Sequence, residues 1–102
     1  MKFITFSMYD VAKLPEVAQV ADKNSKIPGL KTLAAYNCLG LPFPGVFPPN
    51  TMISIGIREA ESAETLGAAL YSIALTGATT WAVPVMEVPV GGAVAEVKKA
   101  QK

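Results

Sequence analysis

The residue of this sequence that is best suited to hold a charged ligand is Arg58, its single arginine. A guanidinium group presents its donors in a planar fork that matches a carboxylate or a phosphate, so Arg58 could hold such a group of a ligand. The alternative is an ion pair with Glu59, Glu61 or Glu87 at the edge of the predicted sheet. Of the two, the ion pair is what we expect.

Two tyrosines and one cysteine are the next candidates. Tyr9 and Tyr36 could act as weak acids on a polarised substrate, although buried tyrosines more often pack and satisfy their hydroxyl groups. Cys38 would be a nucleophile only beside a base or a positive dipole. The sequence indicates neither, so we expect Cys38 to be a buried structural thiol. No catalytic residue is assigned from these patterns.

The absence of histidine is the clearest negative statement about chemistry. Histidine is the commonest metal ligand, the commonest general base and the usual proximal ligand of haem. One cysteine also excludes an internal disulfide and a multi-cysteine metal cage. We therefore predict no metal site and no cofactor.

Length and composition predict a single domain without a nucleic-acid or membrane partner. The chain has 102 residues and a formal net charge of +1, which gives no field to attract nucleic acid. Prolines and Gly77 interrupt the uncharged runs 32–57 and 65–86, so neither predicts a membrane-spanning helix. The first residues alternate in hydrophobicity and lack the features of a signal peptide. We expect a cytoplasmic protein with no membrane or nucleic-acid partner.

Periodicity predicts the order β-α-β-β-α-β followed by a short helix. Pro15 fits the first turn of the first helix, and the acidic stretch around Ser62 is typical of a helix N-terminus. Gly77 is placed to end that second helix. The predicted strands are 2–9, 31–39, 51–58 and 79–88, with helices at 15–24, between Ser62 and Gly77, and at 93–101.

This order has one dominant solution, an α+β ferredoxin-like domain. Two right-handed crossovers place both helices on one face of a four-stranded antiparallel sheet. We expect residues 1–90 to form this core and 91–102 a C-terminal helical tail. Because 51% of the residues are hydrophobic, the uncovered face of the sheet should be buried against a second copy. The expected assembly is a homodimer or a larger homo-oligomer that encloses a shared barrel.

The isoleucines of the third strand predict which side of the sheet meets the helices. If Ile53, Ile55 and Ile57 pack on the helices, the alternate residues face the open side. That open side would then collect a candidate set of polar ligand-binding residues, with Gly56 lowering the floor between them to admit a ligand or a side chain. The candidate ligand-binding residues are Tyr9, Tyr36, Ser54 and Arg58.

The segment 40–50 is an apolar, proline-rich loop. Its prolines reduce the entropy lost on ordering, and Phe43 and Phe47 have reason to leave water. We predict that both rings contact another subunit or cover the mouth of the sheet pocket, with the subunit contact favoured.

The run Ile57 to Leu66, with the sequence IREAESAETL, and the segment VPVMEV at 83–88 resemble the dimeric α/β-barrel superfamily. The resemblance is to small uncharacterised archaeal and bacterial members. Muconolactone isomerases and antibiotic-biosynthesis-type monooxygenases are more distantly similar. It implies the ferredoxin-like fold and a dimeric barrel. It carries over no catalytic residue, and the lack of histidine departs from the haem-degrading members.

Two functions remain open on the sequence. The first is a homo-oligomeric barrel protein that binds a small, largely apolar ligand. The second is a cofactor-independent isomerase or monooxygenase that uses Tyr9, Tyr36 or Arg58. A pocket lined by these polar groups would favour the second, and a pocket filled by side chains would favour a structural role.

Overall fold

The structure, a computed structural model, describes residues 1–38 and 48–101. Its four strands are β1 (Lys2–Asp10), β2 (Leu30–Asn37), β3 (Thr51–Ala60) and β4 (Thr79–Pro84). The helices are α1 (Leu14–Asn24), α2 (Ala63–Ala74) and α3 (Ala93–Ala100), and a single 3₁₀ turn, Val11–Lys13, precedes α1. The predicted order of elements is confirmed.

The two main helices begin and end where local chemistry places them. Pro15 lies in the first turn of α1, where its missing N–H costs nothing. The Ser62 hydroxyl accepts the Thr65 backbone N–H at 3.1 Å and caps α2. Helix α2 then stops before Gly77, whose φ of +95° is a conformation that favours glycine.

The strands form one antiparallel sheet in the order β2-β3-β1-β4. The central strands β1 and β3 pair along their whole length, from Lys2 opposite Glu59 to Asp10 opposite Thr51. A register shift between Thr32 and Ala34 interrupts the pairing of β2 with β3. This order, with a helix in each crossover, is the ferredoxin-like arrangement.

Two strands are shorter than the sequence predicts. Strand β2 ends at Asn37 instead of residue 39, and β4 ends at Pro84 instead of residue 88. One backbone bond to β1 continues beyond Pro84, from the Val85 N–H to the Lys2 carbonyl at 3.0 Å. The residues after Val85, including Met86, Val88 and Val90, are exposed.

The predicted orientation of the sheet is wrong. Tyr9 and Met52 pack with Val17 and Ile73 of the helices, so these residues face the helical layer. Because side chains alternate along a strand, Ile53 and its alternate neighbours face the other way. Period-2 alternation identifies two sides of a strand but does not say which one meets a helix.

Two apolar clusters join the helices to the sheet. One contains Tyr9, Val17, Ile73 and Ala78, and the other contains Leu30, Ala60, Leu66 and Ala69. Each cluster lies near one end of β1 and β3. Leu14, Val20 and Met52 pack on the first cluster. Phe3 and Ala82 are among the residues that pack on the second. The middle of the helix-facing side, between the clusters, is polar.

We call the other side of the sheet the open side. By register it carries an almost unbroken apolar surface, on which Phe6 and Trp81 stack with ring centroids 5.2 Å apart. Trp81 and Val83 remain 41% and 44% exposed. The apolar residues of the open side are Ile4, Phe6, Met8, Ile53, Ile55, Ile57, Trp81 and Val83.

Candidate functional site

A pocket of about 210 Å³ lies between the middle of the sheet and helix α1. Its sheet wall is formed chiefly by hydroxyl groups, Arg58 and Asn37, contributed by β1, β2 and β3. Its helix wall is formed by Leu14, Val17, Ala18 and Ala21. Small alanines on α1 leave the space above the polar centre of the sheet unfilled, which explains why a pocket exists there.

Arg58 is held on the floor of this pocket by two threonines. Its Nε donates to the Thr5 hydroxyl at 3.2 Å, and its Nη1 donates to the Thr32 hydroxyl at 3.4 Å. Thr5 is itself buried and donates to the Gly56 carbonyl at 3.4 Å. The guanidinium group is therefore directed along the sheet surface by neutral partners on both neighbouring strands.

The expected ion pair of Arg58 does not form within the described residues. Glu87 pairs instead with Lys2, at 3.0 Å, and Glu59 lies on the opposite side of the sheet, in register with Lys2. Arg58 thus carries its charge among neutral groups. Burial lowers the pKa of Arg58, because desolvation disfavours the charged form.

A chain of hydrogen bonds follows the pocket wall beside Arg58. The Ser54 hydroxyl donates to Asn37 Oδ1 at 2.7 Å. Tyr9 Oη and Ser54 Oγ lie 2.6 Å apart. Since the single hydroxyl hydrogen of Ser54 is given to Asn37, Tyr9 donates to Ser54. The order Tyr9 to Ser54 to Asn37 runs from the buried core to an exposed amide at the rim.

Gly56 makes room for the side chain of Arg58. A Cβ atom added to Gly56 would lie 2.8 Å from Thr5 Oγ1 and 2.9 Å from Arg58 Nε. The lowered floor that the sequence predicts is therefore occupied by side chains of the same chain. Any larger residue at this position would push the guanidinium group away from Thr5.

Three of the four predicted ligand-binding residues come together, on the side opposite to the one expected. Tyr9, Ser54 and Arg58 line the helix-side pocket. Tyr36 borders its rim, but it lies in register with Ile55, is 59% exposed and takes no part in the hydrogen-bond chain. Phe43 and Phe47 lie outside the described residues. That the four residues bind a ligand remains a prediction.

Sequence reasoning missed Thr5, Thr32 and Asn37 as members of this site. Each sits directly opposite a predicted member or its neighbour: Thr5 pairs with Gly56, Thr32 with Arg58 and Asn37 with Ser54. The sequence does not reveal these registers, and that of Asn37 with Ser54 also depends on the shift between Thr32 and Ala34. Cys38 is partly exposed, whereas a buried thiol was expected.

Residues 1–38 and 48–101 contain neither a candidate metal cluster nor a membrane-spanning helix. In that part of the chain, no three cysteine or acidic side chains lie close enough to hold a metal ion. None of its helices combines the length and hydrophobicity that crossing a membrane requires.

Comparison with known proteins identifies the fold. The structure is similar to that of a DUF3240 family protein from Shewanella baltica OS155, with a TM-score of 0.54, 13% identity, and coverage of 86% of this chain and 93% of that one. It is also similar to SnoaB from Streptomyces nogalater, described as a cofactor-independent oxygenase. There the TM-score is 0.50, the identity 12%, and the coverage 86% and 97%.

No family model matches the sequence, and no curated protein matches it. At these identities the structural similarities establish the fold alone. The chain has the ferredoxin-like α+β fold that its resemblance to the dimeric α/β-barrel superfamily implied.

Proposed function

We propose that this protein is a homo-oligomer in which each subunit binds a small, largely apolar molecule in the pocket between the sheet and α1. The observation that carries the proposal is the pocket itself. About 210 Å³ of space adjoins Arg58 and the Tyr9–Ser54 pair. An apolar cavity of about 150 Å³ is enough to admit benzene.

The open side of the sheet supports the homo-oligomeric part of the proposal. Of the eight apolar side chains on this side, Trp81 and Val83 are exposed, Ile53 is buried and the others are partly buried, and so extended an apolar surface is unusual on a protein that stays monomeric. A second copy is the partner that fits, because two such surfaces are equally apolar and match in extent. We expect an interface of about 1,600 Å² or more.

A fragment screen by NMR tests the pocket. We expect compounds of benzene size to shift the backbone signals of Val17, Ser54 and Ile73 and not those of Phe6 or Trp81. Replacing Ala18 by Phe should abolish these shifts, because Ala18 lines the pocket. The matched control is Ala68 replaced by Phe, since Ala68 is also exposed in mid-helix but lies away from the pocket. Shifts confined to the open side would overturn the proposed location.

Native mass spectrometry of gently purified protein tests the assembly and any retained ligand together. We expect a dimer or a larger homo-oligomer, with added mass per subunit that the Ala18→Phe variant lacks. A bare monomer at micromolar concentration would contradict the homo-oligomeric part.

A cofactor-independent isomerase or monooxygenase is the second candidate. The observation that favours it is the hydrogen-bond chain from Tyr9 through Ser54 to Asn37, which reaches from a buried phenol to the pocket rim. The Tyr9 phenol is the weak acid of this chain, and it is the group that could protonate or polarise a bound molecule. SnoaB, the cofactor-independent oxygenase with a similar fold, is consistent with this class of chemistry. Turnover that is lost in Tyr9→Phe, with ligand binding retained, would support the enzyme.

The cellular setting is proposed on the sequence alone. A near-neutral charge and a lone cysteine suit a cytoplasmic protein that binds neither nucleic acid nor membranes. Fractionation of cells that produce the full chain tests this.

A further inference from the structure

The guanidinium group of Arg58 keeps most of its hydrogen-bonding capacity. It carries five N–H donors, of which one on Nε and one on Nη1 are used by Thr5 and Thr32. Within the described residues, every buried side-chain nitrogen or oxygen has a partner. Nη2 has no partner there, so it is not sealed inside the protein, and the open space next to Arg58 is the pocket.

The positive charge of Arg58 also lacks a counter-charge. Among residues 1–38 and 48–101, no carboxylate lies within ion-pair distance of it. The one acidic residue that borders the pocket is Asp22, which is exposed on α1 at the rim. A half-buried cation with neutral partners is unfavourable unless something supplies the missing charge. The lowered pKa of Arg58 has this same origin in desolvation.

The remaining walls of the pocket limit which anion could balance the charge of Arg58. Leu14, Val17 and Ile73 provide an apolar surface opposite the sheet. One guanidinium group balances one negative charge, and no other cationic residue lines the pocket. A carboxylate matches the fork of arginine and carries one charge. A phosphate dianion would leave a charge unbalanced next to Asp22.

We propose that the pocket binds a small organic monocarboxylate, with its carboxylate on Arg58 and its apolar body against Val17 and Ile73. This inference rests on the proposed function, because it names the class of ligand for the same pocket. The hydrogen-bond chain of Tyr9 and Ser54 lies beside the bound molecule, where it can contact a hydroxyl or carbonyl group on that body.

A matched pair of compounds tests the carboxylate. Benzoate and benzamide have the same shape, but only benzoate carries a charge at neutral pH. Titrations of the full chain, followed by NMR, should show benzoate binding roughly tenfold more tightly than benzamide, because a charge-assisted bond is stronger than a neutral one. Inorganic phosphate should compete weakly with benzoate.

Variants locate the preference at Arg58. Arg58→Met should remove the advantage of benzoate over benzamide, and Arg58→Lys should keep part of it. Lys26→Met is the control, because it removes the same charge from an exposed residue outside the pocket. Asp22→Asn should strengthen benzoate binding more than benzamide binding, because it removes a negative charge from the rim.

The outcomes separate this inference from the proposed function. Equal binding of the two compounds, with shifts in the pocket, would overturn the carboxylate and leave the pocket as a binding site. Phosphate that competes as well as benzoate would overturn the choice of a monocarboxylate. If neither compound shifts pocket signals, the inference fails, and the fragment screen with Ala18→Phe decides separately on the pocket.

Discussion

The two sides of the sheet differ in a way that hydrophobicity alone would not suggest. The side that meets α1 and α2 is apolar at both ends and polar in the middle, where Thr5, Ser54 and Arg58 lie. The open side is apolar along almost its whole length, from Ile4 to Met8 and from Ile53 to Ile57. The more hydrophobic side is thus the one that the subunit does not cover with its own helices.

This difference indicates two separate uses of the sheet. A polar centre under a helix is costly for folding, so its persistence beside a pocket points to ligand binding. An uncovered apolar surface is costly for solubility, so it points to association with another copy. On the proposals made above, the two end clusters chiefly stabilise the subunit, and the open side is the surface used for assembly.

The largest expected effect is the loss of assembly when a charge enters the open side. Ile55→Lys places an ammonium group in the middle of that surface, and burying it without a partner should cost the oligomer about 4 kcal/mol, roughly a thousandfold in affinity. Sedimentation velocity should show monomers. Tyr71→Lys is the control, since Tyr71 is an exposed residue of α2, on the helical side. Unchanged assembly in Ile55→Lys would refute the role given to the open side.

Truncating one isoleucine on each side of the sheet should distinguish the two sides. The loss of stability should depend on protein concentration for one side and not for the other. Ile73→Ala opens a cavity in a helix-side cluster and should lower the free energy of unfolding by about 3 kcal/mol. The loss should be the same at every protein concentration. Ile57→Ala, on the open side, should destabilise the protein mainly through assembly, so its effect should vary with concentration. Thermal unfolding over a range of concentrations measures both, and identical behaviour would contradict the comparison.

The proline-rich loop provides a further test of assembly. Replacing Phe43 and Phe47 together by Ser should weaken the oligomer more than it destabilises the subunit, because each buried ring contributes about 1.5–3 kcal/mol from transfer out of water. Sedimentation and thermal unfolding of the double variant measure the two effects. An unchanged assembly state and thermal midpoint would mean that the loop is a solvent-facing connection.

The smallest expected effect is a gain of stability in the polar centre. Arg58→Met removes a desolvated charge and should raise the free energy of unfolding by about 1 kcal/mol. Because burial lowers the pKa of Arg58, the cost is fully present below that lowered pKa and declines only as the pH rises from it towards the ordinary pKa of arginine. The difference between wild type and variant should therefore stay constant across the neutral range. Denaturant unfolding measures it, and a marked loss of stability would make Arg58 a structural residue.

Much of the fold follows from local features of the sequence. Pro15, Ser62 and Gly77 mark helix ends, and the order of strands and helices leaves one dominant topology. Strand ends were less predictable. Both β2 and β4 are edge strands, and they end where their registered pairing with β3 and β1 stops, at Asn37 and at Pro84. Helix ends depend on interactions within a few residues, whereas strand ends depend on pairing between strands that are distant in the sequence.

The sequence predicted which residues belong to the candidate site better than it predicted where the site lies and what those residues contact. Tyr9, Ser54 and Arg58 share a side because alternation and antiparallel register require it. Their location under α1 could not be predicted, because it depends on whether the sheet presents this side or the other to the helices. Nor could the partners of Arg58: nearby glutamates suggested an ion pair, and the fold places Glu59 on the opposite side of the sheet.

The sequence by itself determined the elements, their order, the topology of the sheet and the presence of two chemically different sides. Only the tertiary structure decided which side the helices cover, that the alanines of α1 leave a pocket of about 210 Å³, and that Thr5 and Thr32 hold Arg58 on its floor. The physical reason is that a strand's alternation has the same period whichever way the sheet faces. Which side of the sheet meets the helices is fixed by the packing of all the elements together. Small side chains take part in this packing through the space that they leave unfilled.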